Sequence, residues 1–229
     1  MKRWIVRAPA VVLLVAVVVG LVSGSVTAQD EPLYVALIWH NHQPFYKNTA
    51  TGLYMMPWVR MHAAKDYYDM VAILEDYPNV HLGFNYVPSL MFQLDEYEAG
   101  AKDIQLILSE KPASSLTRED KDFILRRFFD ANWERMIKRH PRYRQLLEKR
   151  GEAVSDSSIA EAIEKFTEDD FRDLQVWFNL AWLDPDFIEE DPIIQALVKK
   201  GEGFTDHEKQ KFLDKHLDIV GKVIPLHKE

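Results

Sequence analysis

The chain has 229 residues, of which 47% are hydrophobic and 28% charged, a composition typical of a folded globular protein and not of a disordered one. Its formal net charge is −8, so it is a poor partner for nucleic acid. The sequence contains no cysteine, which excludes a disulfide framework and a cysteine nucleophile.

Residues 1–28 show the three-part pattern of a secretory signal peptide. Lys2, Arg3 and Arg7 precede an apolar run at 10–22, and small residues close the segment at Ala28. The run is shorter than the roughly 20 residues that span a bilayer. We therefore predict an exported protein, periplasmic or extracellular, whose mature part, residues 29–229, has no stable membrane span. An N-terminal membrane anchor is the alternative.

Two apolar segments predict buried strands. Residues 33–39 (LYVALIW) and 80–87 (VHLGFNYV) show no alternation, which is typical of strands covered on both faces. Between them, residues 61–77 carry apolar side chains at helical spacing, and Pro78 ends the helix. A strand, a helix and a strand of these lengths predict a βαβ unit with parallel strands.

The rest of the chain reads as helical. A helix capped by Ser89 and ended by Gly100 comes first, and further helices are predicted at 117–140, 141–149, 158–183, 192–200 and 206–226. Two parallel strands cannot close a sheet by themselves. The pattern thus predicts an α/β chain that is the N-terminal part of a larger fold, with a large helical insertion after its two strands.

A polar cluster follows the first predicted strand. His40 and His42 share one face if the strand continues through them, with Asn41 between them and Gln43 after them. Ligand sites of α/β proteins form at the carboxyl ends of strands. Three interpretations are open: surface histidines in a loop, a divalent metal site completed by a third ligand such as an aspartate, or a sugar site with neighbouring aromatic rings.

Polar residues from two later segments could reach this cluster. Asn85, near the end of the second strand, either bonds to neighbouring backbone or faces the same site. Arg60, His62 and Lys65 either line the mouth of the site or form the solvated start of a helix. The strand ends offer no pair of carboxylates for glycoside cleavage, and the acids elsewhere have positions typical of helix starts and turns.

Five segments together resemble the N-terminal part of glycoside hydrolase family 57. In chain order they are WHNHQPFY, PWVRMHAAKDYYDM, GFNYVPSLMFQL, DLQVWFNLAWLDP and VIPLHKE. The HQP of residues 42–44 resembles the first of the family's five sequence regions, and the resemblance extends over residues 33–229. It implies an enzyme that hydrolyses or transfers α-glucans with retention, on an incomplete (β/α)7 barrel, without a metal or other cofactor.

The resemblance also implies site residues. His42 and His40 would line the donor-sugar pocket with Trp58 nearby, and with Gln43 and Asn85 they form the predicted binding set for an α-glucan or oligosaccharide. The family's nucleophile is a glutamate of the third region and its acid/base an aspartate of the fourth, both beyond residue 229. We therefore assign no catalytic residue and expect the chain alone to be inactive.

Two other functions stay open at this point. One is a non-catalytic glucan-binding protein that has kept the N-terminal fold. The other is a metal-dependent hydrolase of the carbohydrate-deacetylase type, with His40 and His42 as ligands. The sequence makes no prediction about the oligomeric state.

Overall fold

A two-stranded parallel sheet opens the part of the chain that the computed structural model describes, residues 32–228. Strand β1 (Ile38–Asn41) pairs with β2 (Gly83–Tyr86), in a register that places His40 beside Asn85. The predicted parallel pairing is therefore observed, with strands shorter than the apolar segments. The predicted signal peptide, and the export inferred from it, lie outside the described residues.

The sheet is more exposed than the apolar pattern predicts. Ile38 and Trp39 of β1 are 71% and 55% exposed, and only Asn41 of this strand is buried. On β2, the rings of Phe84 and Tyr86 contact His227 from the helical region, while Asn85 on the opposite face is exposed. The expectation of cover on both faces is thus wrong for the described residues, because helices reach one face only.

The crossover between the strands is helical but broken. Helix α1 (Trp58–Ala63) is followed by α2 (Asp66–Ala72) and a short 3₁₀ turn, Ile73–Asp76, so the single predicted helix over 61–77 is wrong in its continuity. The break lies at Lys65, whose backbone angles of −139° and −92° are not helical. The stop before Pro78 is confirmed.

The region after β2 is helical throughout the described residues. Its helices are α3 (Pro88–Glu98), α4 (Ile104–Glu110), α5 (Arg118–Arg127), α6 (Pro141–Arg150), α7 (Asp156–Lys165), α8 (Glu168–Leu180), α9 (Pro185–Glu190), α10 (Pro192–Lys200), α11 (Asp206–Val220) and α12 (Val223–Leu226). No helix of the described part has the length and apolarity needed to cross a membrane.

Capping interactions explain where the helices begin. The predicted cap at Thr117 is confirmed as a capping box with Asp120 at the start of α5. Another capping box, Thr167 with Asp170, restarts the helix after Phe166, so the predicted helix over 158–183 divides into α7 and α8. Ser89 is not a cap, since Val87 is the N-cap of α3 and Pro88 its first residue.

Other helices also differ from the sequence prediction. The helix predicted over 206–226 divides into α11 and α12, and α9 was not predicted. The helix predicted over 117–140 ends at Arg127 and is followed by a π-turn, Trp133–Ile137. The pattern also missed α4, which Asp103 caps by accepting a hydrogen bond from the amide of Leu106 at 2.7 Å.

Helix α8 is the centre of the main core. Its residues from Phe171 to Leu180 are buried except Arg172, and Phe178 stacks on Phe128 with ring centroids 4.4 Å apart. The buried polar side chains of α8 are all paired: Gln175 donates to the carbonyl of Leu108 at 2.5 Å, for example. A helix buried on all sides tolerates polar residues only where such partners exist.

Candidate functional site

The ends of β1 and β2 form a small polar surface. His40 Nδ1 lies 2.7 Å from the side-chain oxygen of Asn85 across the two strands, and the rings of His40 and His42 are nearly parallel at 6.1 Å. Because the amide oxygen only accepts, Nδ1 of His40 donates, and Nε2 is left as an acceptor in the neutral ring. All three side chains are exposed, so this surface can form hydrogen bonds with a polar ligand.

For Asn85 the sequence left two alternatives open: bonding to neighbouring backbone, or facing the site. Its side chain bonds to His40 and not to neighbouring backbone, on the exposed face of the sheet. Its amide nitrogen donates no hydrogen bond to any of the described residues. The structure therefore brings His40, His42 and Asn85 together at the predicted place.

A metal at this surface would need a third ligand. Within residues 32–228, the group of acidic or imidazole side chains close enough to share an ion consists of Asp69, Asp184 and Asp186, with ligand atoms within 4.8 Å of one another. It includes neither His40 nor His42. One imidazole nitrogen of His40 is moreover already engaged by Asn85.

Gln43 turns toward the helices. Its amide nitrogen donates to the hydroxyl of Tyr67 at 3.0 Å, and its amide oxygen accepts from the hydroxyl of Tyr46 at 2.7 Å. Its carbonyl accepts from Ser89 at 3.4 Å. These contacts fix the backbone directly after His42 and leave Gln43 half-buried.

The loop from Gln43 to the start of α1 is anchored on α3. The fully buried Gln93 donates to the carbonyl of Pro44 at 3.1 Å and accepts from the amide of Tyr46 at 2.9 Å. Further along, the hydroxyl of Tyr54 donates to Glu96 at 2.5 Å; burial, together with this contact, raises the pKa of Tyr54. The long loop is therefore a fixed element of the site.

Trp58 belongs to a separate group of rings. Its centroid lies 5.7 Å from that of Trp182, and His62 packs edge-on against Trp182 at 5.4 Å. We call these three residues the tryptophan cluster. Trp58 makes no stacking contact or hydrogen bond with His40, His42 or Asn85 among the described residues. Sequence reasoning missed Trp182, although its segment DLQVWFNLAWLDP is part of the resemblance.

Arg60 neither lines the mouth of the polar site nor forms a solvated start of a helix, the two positions that the sequence predicted. It is completely buried, and its guanidinium donates to Asp103 at 2.7 Å, to Asn179 at 2.8 Å and to Nδ1 of His216 at 2.9 Å. The pKa of His216 lies well below its usual value because of burial and the neighbouring Arg60 charge. Arg60 therefore joins α1 to α4, α8 and α11 and contacts no solvent.

His227 is a second histidine that the sequence did not single out. Its Nε2 lies 2.6 Å from the hydroxyl of Tyr86 and 2.9 Å from the carbonyl of Tyr67. Burial lowers the pKa of His227, although the hydrogen bond with the Tyr67 carbonyl acts in the opposite direction and raises it. It borders a groove of about 360 Å³ beside β2, together with Phe84 and Met91.

Comparison with known proteins identifies the family. No curated protein and no solved structure matches the chain significantly. The family described as glycosyl hydrolase family 57 matches residues 36–229, a stretch that contains both strands, the polar surface and the helical region. This confirms the resemblance drawn from the five sequence segments. The chain belongs to glycoside hydrolase family 57.

Proposed function

We propose that the chain provides one sugar-binding wall of an enzyme that acts on α-glucans, by hydrolysis or glucan transfer with retention. Family membership supports a glycoside hydrolase-like function and a carbohydrate substrate. The observation that carries the proposal is the hydrogen bond between His40 and Asn85 across the ends of two parallel strands. It leaves polar atoms exposed at the edge where α/β enzymes bind their substrates.

Each predicted residue has a role in this proposal. His40, His42 and Asn85 bond the hydroxyls of one sugar unit, because imidazole and amide groups can both donate and accept. Gln43 contributes mainly by holding the backbone after His42 against Tyr46 and Tyr67. Trp58 offers an aromatic surface for a further unit, as aromatic side chains commonly do in ligand pockets.

The two strands are proposed to be the first strands of an incomplete (β/α)7 barrel. The apolar and exposed side chains of Ile38 and Trp39 support this idea, because strands of parallel sheets are normally covered on both faces. We assign the roles of the family's catalytic glutamate and aspartate to no residue of this chain. We therefore expect no turnover from the 229 residues alone. We also propose export, on the basis of the signal-peptide pattern at 1–28.

Oligosaccharide binding to the purified chain tests this function. We expect saturable binding of maltohexaose by titration calorimetry, weaker binding of β-linked cellohexaose, and at least a tenfold loss of maltohexaose affinity in His40→Ala and His42→Ala. His81→Ala, an exposed histidine outside the polar surface, is the matched control and should bind like the wild type. Equal binding of α- and β-linked sugars would contradict the α-glucan proposal.

Turnover and metal content complete the test. Reducing-sugar release from starch by the purified chain would contradict the expected inactivity. Elemental analysis that finds one divalent metal per chain, lost in His40→Ala, would support the metal-dependent alternative instead.

A further inference from the structure

The tryptophan cluster lies at the surface although its rings pack on the main core. Trp58 and Trp182 are both partly exposed, and their planes are tilted by 50°. The indole nitrogen of Trp182 is buried and has no hydrogen-bond acceptor among the described residues. The ring is therefore held by packing against the core and its aromatic neighbours, without a side-chain hydrogen bond.

His62 places a polar atom at the edge of these rings. Its Nδ1 lies 2.5 Å from Asp66, and a carboxylate can only accept, so Nδ1 donates. In the neutral ring this leaves Nε2 as an acceptor, on a side chain that is 31% exposed. A partly exposed imidazole beside two indoles combines the two contacts by which proteins bind sugars: hydrogen bonds to hydroxyls and apolar contact with ring faces.

A chain of contacts connects the cluster to the polar surface. The ring of His62 lies 6.0 Å from that of Tyr67, and the hydroxyl of Tyr67 accepts from Gln43, the residue directly after His42. The cluster and the strand ends are thus two ends of one structural unit and not unrelated patches.

The cluster is also fixed before any ligand arrives. Trp58 and His62 lie on α1, whose Arg60 is bonded to Asn179 of α8, and the carbonyl of Ala64 accepts from the amide of Asp184 at 3.0 Å. These two links lie on either side of Trp182 in the sequence. Pre-organised groups bind more tightly because less conformational entropy is lost on binding.

From these contacts we propose that Trp58, Trp182 and His62 form a second sugar subsite, separate from the polar surface of His40, His42 and Asn85. The indoles contact the ring faces of an α-glucan unit, and Nε2 of His62 accepts a hydrogen bond from one of its hydroxyls. Trp182 and His62 are new to the binding set. The inference rests on the proposed function and extends it, because only a glucan long enough to reach both places uses the subsite.

A ladder of ligand lengths tests the subsite. Calorimetric titration of the purified chain with maltose, maltotetraose and maltoheptaose should show affinity rising with length in the wild type. We expect Trp182→Ala to weaken maltoheptaose binding about tenfold and to leave maltose binding unchanged. Trp182→Phe keeps an aromatic face and should stay within about threefold of the wild type for every ligand.

His62 separates hydrogen bonding from packing. His62→Phe keeps a ring against Trp182 but removes both nitrogen atoms, so we expect about a tenfold loss for maltoheptaose and none for maltose. His207→Phe, the same change at an exposed histidine outside both sites, should match the wild type. Near-ultraviolet circular dichroism would verify that each variant is folded.

The outcomes distinguish this inference from the proposed function. If the wild type binds no maltooligosaccharide, the proposed function fails and the subsite fails with it. If the wild type binds and Trp182→Ala and His62→Phe bind maltoheptaose as well as the wild type, only the subsite is overturned. A loss that is equal for maltose and maltoheptaose would also overturn it, since it would indicate general distortion of the site.

Discussion

The helical region and the two-stranded sheet are both rich in apolar residues, yet they bury them to different extents. Leu174 and Phe178 of α8 are fully buried, whereas Leu37 and Ile38 at the start of the sheet are 58% and 71% exposed. Helices of an antiparallel or crossing series find partners within their own segment. A pair of parallel strands needs cover from elements that are distant in sequence, so apolar composition alone does not bury it.

The two regions also differ in how they use polar groups. Among the helices several buried charges form ion pairs: Arg60 with Asp103, and the carboxylates of Asp170 and Asp173 with Arg142 at 2.9 Å and 2.8 Å. At the strand ends the polar groups are exposed and have atoms left for a ligand. Apart from the proposed subsite of Trp58, His62 and Trp182, the first region therefore acts as scaffold and the second as site. Substitutions should accordingly affect stability in the scaffold and binding in the site.

Removal of the Arg60 charge should have the largest effect. Arg60→Met leaves Asp103 buried without its cation, and we expect a loss of about 3–5 kcal/mol in the free energy of unfolding. Arg118→Met is the control, because its ion pair with Glu164 is mostly exposed and should contribute less than about 1 kcal/mol. Urea denaturation followed by circular dichroism measures both; equal losses would contradict the scaffold role.

A matched pair of leucines compares the regions directly. Leu174→Ala creates a cavity in the main core and should cost about 2–5 kcal/mol, whereas Leu37→Ala should change stability by less than about 0.5 kcal/mol. Both can be measured by the same urea titration. A large loss in Leu37→Ala would show that the sheet is covered in solution, for example by a second chain.

Acid should destabilise the helical region through His216. Its folded-state pKa is lowered, so below about pH 6.5 the unfolded chain binds a proton that the folded chain does not. Stability is then complete above pH 6.5 and falls by about 1.4 kcal/mol per pH unit below it. His140, whose burial lowers its pKa to about 4, should add a similar dependence.

The variant His216→Asn isolates the contribution of this one histidine. Its side-chain oxygen can still accept from Arg60, but the side chain does not titrate. Between pH 6.5 and 5 the pH dependence of the unfolding free energy should therefore decrease by about one proton, or about 2 kcal/mol over the interval. An unchanged slope would show that His216 is not the responsible group.

The smallest effect on stability is expected at the site. Asn85→Ala removes the partner of His40 on an exposed face, and the free energy of unfolding should change by less than about 0.5 kcal/mol. Maltohexaose affinity should nevertheless fall, because the ring of His40 loses its orientation. A large loss of stability together with unchanged affinity would reverse the division between scaffold and site.

Local signals explain which parts of the fold could be predicted. The capping pair Thr117 and Asp120, the stop before Pro78 and the helix Pro192–Lys200 depend on neighbouring residues only, and the structure has them as predicted. The capping pair Thr167 and Asp170 is also a local signal. The apolar periodicity on both sides of it nevertheless favoured one continuous helix. The cap of α4 by Asp103 is equally local but was not predicted; the contact of the same carboxylate with Arg60 is set by the tertiary structure.

By itself, the sequence determined the family, the parallel pairing of the strands and the place of His40, His42 and Asn85, because motifs and strand ends are local properties. The tertiary structure alone decided that Arg60 is buried, that Gln43 bonds to tyrosines and that Trp58 lies beside Trp182, 124 positions later in the chain. Such placements depend on which distant helices meet, and a side chain's type does not specify its partner across that distance.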